Sequence, residues 1–115
     1  MDPVRIPGEF VFTTGAAPAP ATLYATIREA EGLTSVLDRF EADRLGLDYD
    51  YVAGWITLQV PSDLAVVGLT AAVSSALAEV GISCNVLAGF HHDHLLVPIG
   101  DVERAVAVLR ELSRA

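Results

Sequence analysis

The 115-residue sequence contains no lysine, and its seven basic residues are all arginine against fifteen acidic ones. The resulting net charge of −8 repels phosphate backbones and anionic lipid headgroups, so nucleic acid and membrane surfaces are excluded as expected partners. Cysteine is nearly absent as well. A lone Cys84 cannot form a disulfide within the chain, which fits a reducing compartment and points to the cytoplasm. No apolar run approaches the eighteen or so residues that a membrane span needs. The opening MDPVRIPGEF lacks the basic cluster and apolar core expected of a secretion signal. Glycine-rich phosphate loops, paired-cysteine motifs and basic stripes are also missing.

What is present is enough to build a core, since 52% of the residues are hydrophobic and 19% charged. The stretch from Trp55 to Ile99 organises the chain. Ile56, Leu58 and Val60 alternate with Trp55, Thr57 and Gln59, the period of a strand with one buried face. Val66, Leu69, Val73, Leu77 and Val80 then recur at three- and four-residue spacing, which predicts one helical stripe. Gly81 is placed to end that helix in a left-handed conformation. Two further strands follow, with Cys84, Val86 and Ala88 inward in the first and Leu95 and Val97 in the second. Asp101 reads as the N-cap of a last helix, whose stripe is Val102, Ala105, Val106, Leu109 and Leu112.

The first half is read less directly. Met1 to Glu9 reads as an arm leading into a strand at Phe10–Thr14, and Pro18 and Pro20 make a loop of residues 15–21. Residues 22–31 suit either a helix or a strand. The strand is preferred, because Glu31-Gly32 then closes a tight hairpin onto Leu33–Leu37. Asp38 and Glu41 have capping-box spacing, and Gly46 supplies a stop, so residues 39–45 form a short helix. Residues 47–53 lead into the next strand. Both halves thus show a similar order of elements, and no polar linker divides them. The division expected is residues 1–52 and 53–115, packed as one body.

The runs ATIREAEGLTSVL, AGWITLQV, VGLTAAVSSALAEVGISCNVLAG and HDHLLVP carry a resemblance to small, stand-alone bacterial ACT-domain proteins over residues 8–113. Trp55 to Ile99 is also similar to the ACT repeats of aspartokinases and of the animal cytosolic arginine sensor. The resemblance implies an α+β, ferredoxin-like ACT fold: a βαββα unit plus N-terminal strands, in two ACT-like halves of which the first is degenerate. It implies a non-catalytic regulatory or sensor protein, without cofactor, that binds a small molecule, an amino acid, at a domain or subunit interface. It also implies a homodimer. ACT ligands sit at the loop before the first helix and the turn after it. Carried onto this chain, the loop is Ser62, Asp63, Val67, Gly68 and Leu69, and the turn is Ile82, Ser83, Cys84 and Asn85.

Each of these residues has a plainer role available. Gly68 either opens a ligand site or only lets the helix pack close to a strand. Asn85 either faces a ligand or pairs across the sheet. Asp63 suits a helix cap, and Cys84 a small core residue. His91, His92, Asp93 and His94 match a metal-ligand set in type, but adjacent residues at a hairpin tip point to opposite sides. They read as a polar turn, and no metal site or catalytic group is assigned. Two other functions remain open: an interaction module that pairs through an open sheet edge without a ligand, and a small metal-dependent enzyme built on His91–His94.

Overall fold

The computed structural model describes residues 2–15, 21–59 and 68–114. Its elements are β1 (Asp2–Gly15), β2 (Leu23–Glu29), β3 (Gly32–Asp38), α1 (Arg39–Arg44), β4 (Val52–Gln59), α2 (Leu69–Glu79), β5 (Asn85–Ala88), β6 (Asp93–Pro98) and α3 (Val102–Arg114). They fall into two compact units. One comprises Gly8–Ala53, and the other joins Met1–Pro7 to Gly54–Ala115.

In the Gly8–Ala53 unit the strand order is β2-β3-β1, with both pairings antiparallel. The hairpin expected over residues 22–37 is present. Glu29 pairs with Gly32, so the two turn residues are Ala30 and Glu31, one position earlier than the sequence suggests. Asp38 ends β3 and caps α1, its carboxylate accepting from the backbone N–H groups of Phe40 at 2.9 Å and Glu41 at 3.4 Å. Val11, Leu37 and Ala42 form the core of this unit, with Leu23, Leu47, Tyr49 and Val52 packed around them.

In the other unit the strand order is β1-β4-β6-β5. This is the ferredoxin-like order, with the outer strand beside β4 supplied by Asp2–Pro7 and not by a strand after α3. The segment expected to be an arm is therefore strand from Asp2 onward. Its prolines lie at positions 3 and 7, where sequence preference argues against a central strand. Arg5 pairs with Glu103 of α3.

Both helical stripes form. Val73 and Leu77 of α2 and Val102, Ala105, Val106 and Leu109 of α3 close over Ile56, Leu58, Leu95 and Val97. Leu69 and Leu112 pack at the margin of this core. Val66 and Val60 lie outside the described residues. Val80 falls off the stripe and is exposed, because it is the residue at which the helix ends. Gly81 then takes φ +75°. The Gly81 and Ile82 N–H groups bond back to the carbonyls of Ala78 at 3.0 Å and Leu77 at 2.9 Å, the Schellman closure of a helix. At the start of α3, a 3-10 turn over Ile99–Asp101 precedes the helix, and Asp101 pairs with Arg104 at 3.3 Å.

Two expectations about buried faces fail. β4 is buried on both faces, Trp55 and Thr57 as well as Ile56 and Leu58. Alternation there reflects residue size and polarity, not exposure. On β5, Val86 lies on the helix side with its partner Leu95, yet it and Ala88 stay exposed, because β5 is the edge strand of its unit and has a strand on one side only.

Candidate functional site

The site expected from the sequence is built around the two ends of α2. Ser62, Asp63 and Val67 lie outside the described residues. Gly68 is the N-cap of α2, at φ +109°, and among the described residues no side chain caps the helix there. A Cβ on Gly68 would meet nothing within 4 Å. Gly68 therefore serves the left-handed turn into the helix; among the described residues nothing packs closely enough to require it. Its carbonyl accepts from Ala72 N–H at 2.8 Å. The amides of the first helical turn are the groups suited to an anion at this end. Leu69 begins the helix and packs against the core.

At the other end of α2, the residues alternate. Ile82 is buried in the core with Leu77, and Cys84 is half-buried against the same cluster. Burial pushes the Cys84 thiol up, which makes it a poor nucleophile. Ser83 and Asn85 are exposed. Of the four turn residues, then, Ser83 and Asn85 have side-chain polar groups open to a ligand, while Ile82 and Cys84 shape the core beneath. Asn85 pairs with Leu96 and Leu87 with His94, so these four share one face of the sheet. The helices cover the opposite face, on which Leu95 and Val97 lie.

The polar cluster at residues 91–94 is divided by the structure. His91 is exposed and its ring meets Phe90 at 5.0 Å. His94 instead stands over the sheet, with its ring 5.4 Å from that of Trp55. Its Nδ1 is 3.3 Å from the Trp55 indole nitrogen and 3.0 Å from Thr57 Oγ1. The His92 and His94 rings are 6.4 Å apart. Among the described residues, no three His, Cys, Asp or Glu side chains converge as a metal site would require. Sequence reading treated these residues as one polar turn and missed the Trp55–Thr57–His94 contact. The inward Leu95 and Val97 were the available signal, since a period of two puts His94 on the opposite face of the same strand.

Two hollows occur in the Gly8–Ala53 unit. One, of about 390 Å³, is lined by Thr22, Tyr24, Asp38, Phe40, Glu41 and Arg44. The other, of about 320 Å³, lies beside Phe12, Thr13, Thr34 and Tyr49 and carries the carboxylates of Asp48 and Asp50. Their polar groups are partly engaged already. Asp38 caps α1, Arg44 pairs with Glu41 at 2.7 Å, and the Tyr49 hydroxyl donates to Asp43 at 2.7 Å while accepting from Arg39 at 3.1 Å. Arg39 also holds Glu9 at 2.8 Å, and these partners raise its guanidinium further above neutrality, so it is a fixed cation.

The fold and these sites define an α+β protein of the ferredoxin-like class, a class that includes small regulatory domains. Two family models described as the ACT domain match the sequence, over residues 51–111 and over residues 1–54. The chain belongs to the ACT-domain family. A solved Vibrio cholerae protein of unknown function, described as a possible transport protein, is 40% identical, with a TM-score of 0.88 over 96% of this chain and 88% of that one. An Agrobacterium tumefaciens protein shares the fold at 24% identity, with a TM-score of 0.72 over 90% of this chain and 80% of that one. Aspartokinase alpha and beta subunits share it at 13% identity, with a TM-score of 0.75 over 100% and 99%. The comparison with curated proteins gives no match. Among the described residues, no helix is long and apolar enough to cross a membrane.

Proposed function

We propose that this chain is a non-catalytic, cytoplasmic regulatory protein that binds an amino acid at the interface of a homodimer, using the two ends of α2. The observation that carries this reading is the span of the two ACT matches, which together take in residues 1–111. ACT domains are regulatory in type, and the matches leave almost nothing of this chain for other chemistry.

The chemistry of α2 supports an amino acid in particular. The amides following Gly68 suit an α-carboxylate, and among the described residues nothing caps them or stands within 4 Å of a Cβ on Gly68. Within one chain the 11-residue α2 holds its two ends about 16 Å apart, so the exposed Asn85 amide and Ser83 hydroxyl would meet the α-ammonium group from the second copy of the dimer. Ser62 and Asp63 are proposed as the remaining polar partners, and Val67, Leu69, Ile82 and Cys84 as the apolar frame. Binding would act by favouring one arrangement of the interface over another.

Calorimetry and thermal shift with each of the twenty amino acids test the proposal. One of them, or a small group of similar side chains, should raise Tm and give saturable heat. Asn85→Ala should weaken that response without lowering the Tm of the unliganded protein. Silence across all twenty overturns it. A second reading rests on the exposed Tyr24 and Ile27 of the edge strand β2, with Phe40 nearby in sequence on α1: an interaction module that needs no ligand. An obligate dimer whose Tm ignores every amino acid would favour that reading.

A further inference from the structure

The environment of His94 determines where its proton sits. An indole nitrogen carries a hydrogen and can only donate. With Trp55 Nε1 at 3.3 Å, His94 Nδ1 must be the acceptor, so the neutral ring carries its proton on Nε2. The Thr57 hydroxyl, at 3.0 Å from the same Nδ1, can rotate to share that single lone pair with the indole. Nε2 lies against the turn between β5 and β6, where a Cβ on Gly89 would come within 2.9 Å of it. That turn is closed by the Gly89 N–H donating to the His92 carbonyl at 2.8 Å, and it presents Phe90 almost wholly to solvent, 98% exposed.

We propose that His94 is a proton-operated latch. While neutral, it accepts the Trp55 indole N–H and holds the Gly89–His92 turn on the sheet; once protonated, it gives up Trp55 and releases the turn.

The two partners of Nδ1 respond differently to the added proton. Thr57 can rotate its hydroxyl and accept from Nδ1–H, so it serves either state. Trp55 cannot, because its N–H would then face another N–H. Trp55 is buried and His94 is only half-buried, so the ring is the group that turns away, and it carries its Nε2 edge off Gly89. A second cost is already present in the closed turn. His92 Nδ1 is buried and has no hydrogen-bond partner, and opening the turn would hydrate it.

The groups around the ring set where the latch operates. β4 contributes Trp55 and Thr57, and β5 contributes Leu87 opposite His94; none of these is charged. The turn contributes His92 and, one residue further out, His91. On β6 itself Asp93 is the one acid beside it. Burial lowers the readiness of His94 to take a proton, charge on His92 lowers it further, and Asp93 partly offsets them. Release is thus placed below the ordinary imidazole value of 6.5.

Trp55 is the single tryptophan of the sequence, so emission reports its surroundings and no other site. Titration from about pH 8 to about pH 4.5 should give a reversible change in Trp55 emission with its midpoint below 6.5, while far-ultraviolet circular dichroism stays constant. His94→Asn keeps an acceptor near the place of Nδ1 but cannot titrate, and should abolish the change. His92→Asn should move the midpoint upward. In the parent protein, ring nitrogen shifts at neutral pH should show the Nε2–H tautomer, and Gly89 amide exchange should quicken as His94 protonates. The latch is overturned if emission is flat, if the change persists in His94→Asn, or if it coincides with global unfolding. Should His94→Asn fail to fold, an Nδ1–H tautomer or an indifferent Gly89 amide in the parent overturns it equally.

Discussion

Val102 packs onto Gly54 so closely that a Cβ placed on Gly54 would lie 2.6 Å from Val102 Cγ2 and 2.7 Å from its Cβ. The first turn of α3 rests on β4 through the missing side chain. Valine is stiff about χ1, so it has no cheap way to retreat. Gly54→Ala should therefore destabilise the protein by about 1–3 kcal/mol, the range for overpacking a core. Urea denaturation measures it. The double variant Gly54→Ala, Val102→Ala should recover part of the loss, and a fully additive result would show that the two do not clash.

Asp38 supplies two of the hydrogen bonds that start α1. Asp38→Ala should cost about 1 kcal/mol, the usual value of an N-cap, whereas Asp38→Asn should cost only a few tenths because it keeps the acceptor. Denaturant midpoints of the two variants, compared side by side, decide between capping and a charge effect.

The pH dependence of stability should carry the signature of His94. Its folded-state pKa is lowered, chiefly by burial, so between the folded and unfolded values the unfolded chain binds more protons. Stability then rises with pH through that window. The contribution is complete above the ordinary imidazole value of 6.5 and is lost as pH falls through the folded pKa. Tm profiles should fall on acidification below that value in the parent and be flatter in His94→Asn. Parallel profiles would exclude His94 as the source.

Cys84 should react slowly. Its thiol is half-buried and its pKa is raised by burial, so the thiolate fraction at neutral pH is below that of free cysteine. Labelling with a disulfide reagent should be slower than for glutathione, and should reach the free-thiol rate only in denaturant. Equal rates in the folded protein would contradict the packing described for this residue.

Much of the fold was legible because helices write a long signal. The stripes of α2 and α3 each repeat over several turns, and Gly81 and Asp38 sit where their chemistry demands a stop and a start. Short or doubly buried strands write less. Asp2–Pro7 pairs through its backbone while its prolines argue against pairing, and Trp55 and Thr57 look outward by polarity yet are buried. His94 was hidden for a related reason. Its neighbours in sequence are the exposed His91 and the turn, and nothing local shows that Trp55, 39 residues earlier, lies within bonding distance. For the residues around α2, sequence could place Gly68, Ser83 and Asn85 near helix ends and Cys84 inward, but not that Ile82 is buried in the core.

The placement of Asp2–Pro7 bears on how such chains can be recombined. These residues belong to the body that Gly54–Ala115 completes, with the whole of Gly8–Ala53 interposed between its two pieces. A crossover at the boundary between the two family matches, near residues 51–54, would transplant a sheet lacking its outer strand and leave β4 bare on one side. The heritable module is thus discontinuous, and exchange between relatives conserves it only if both pieces travel together.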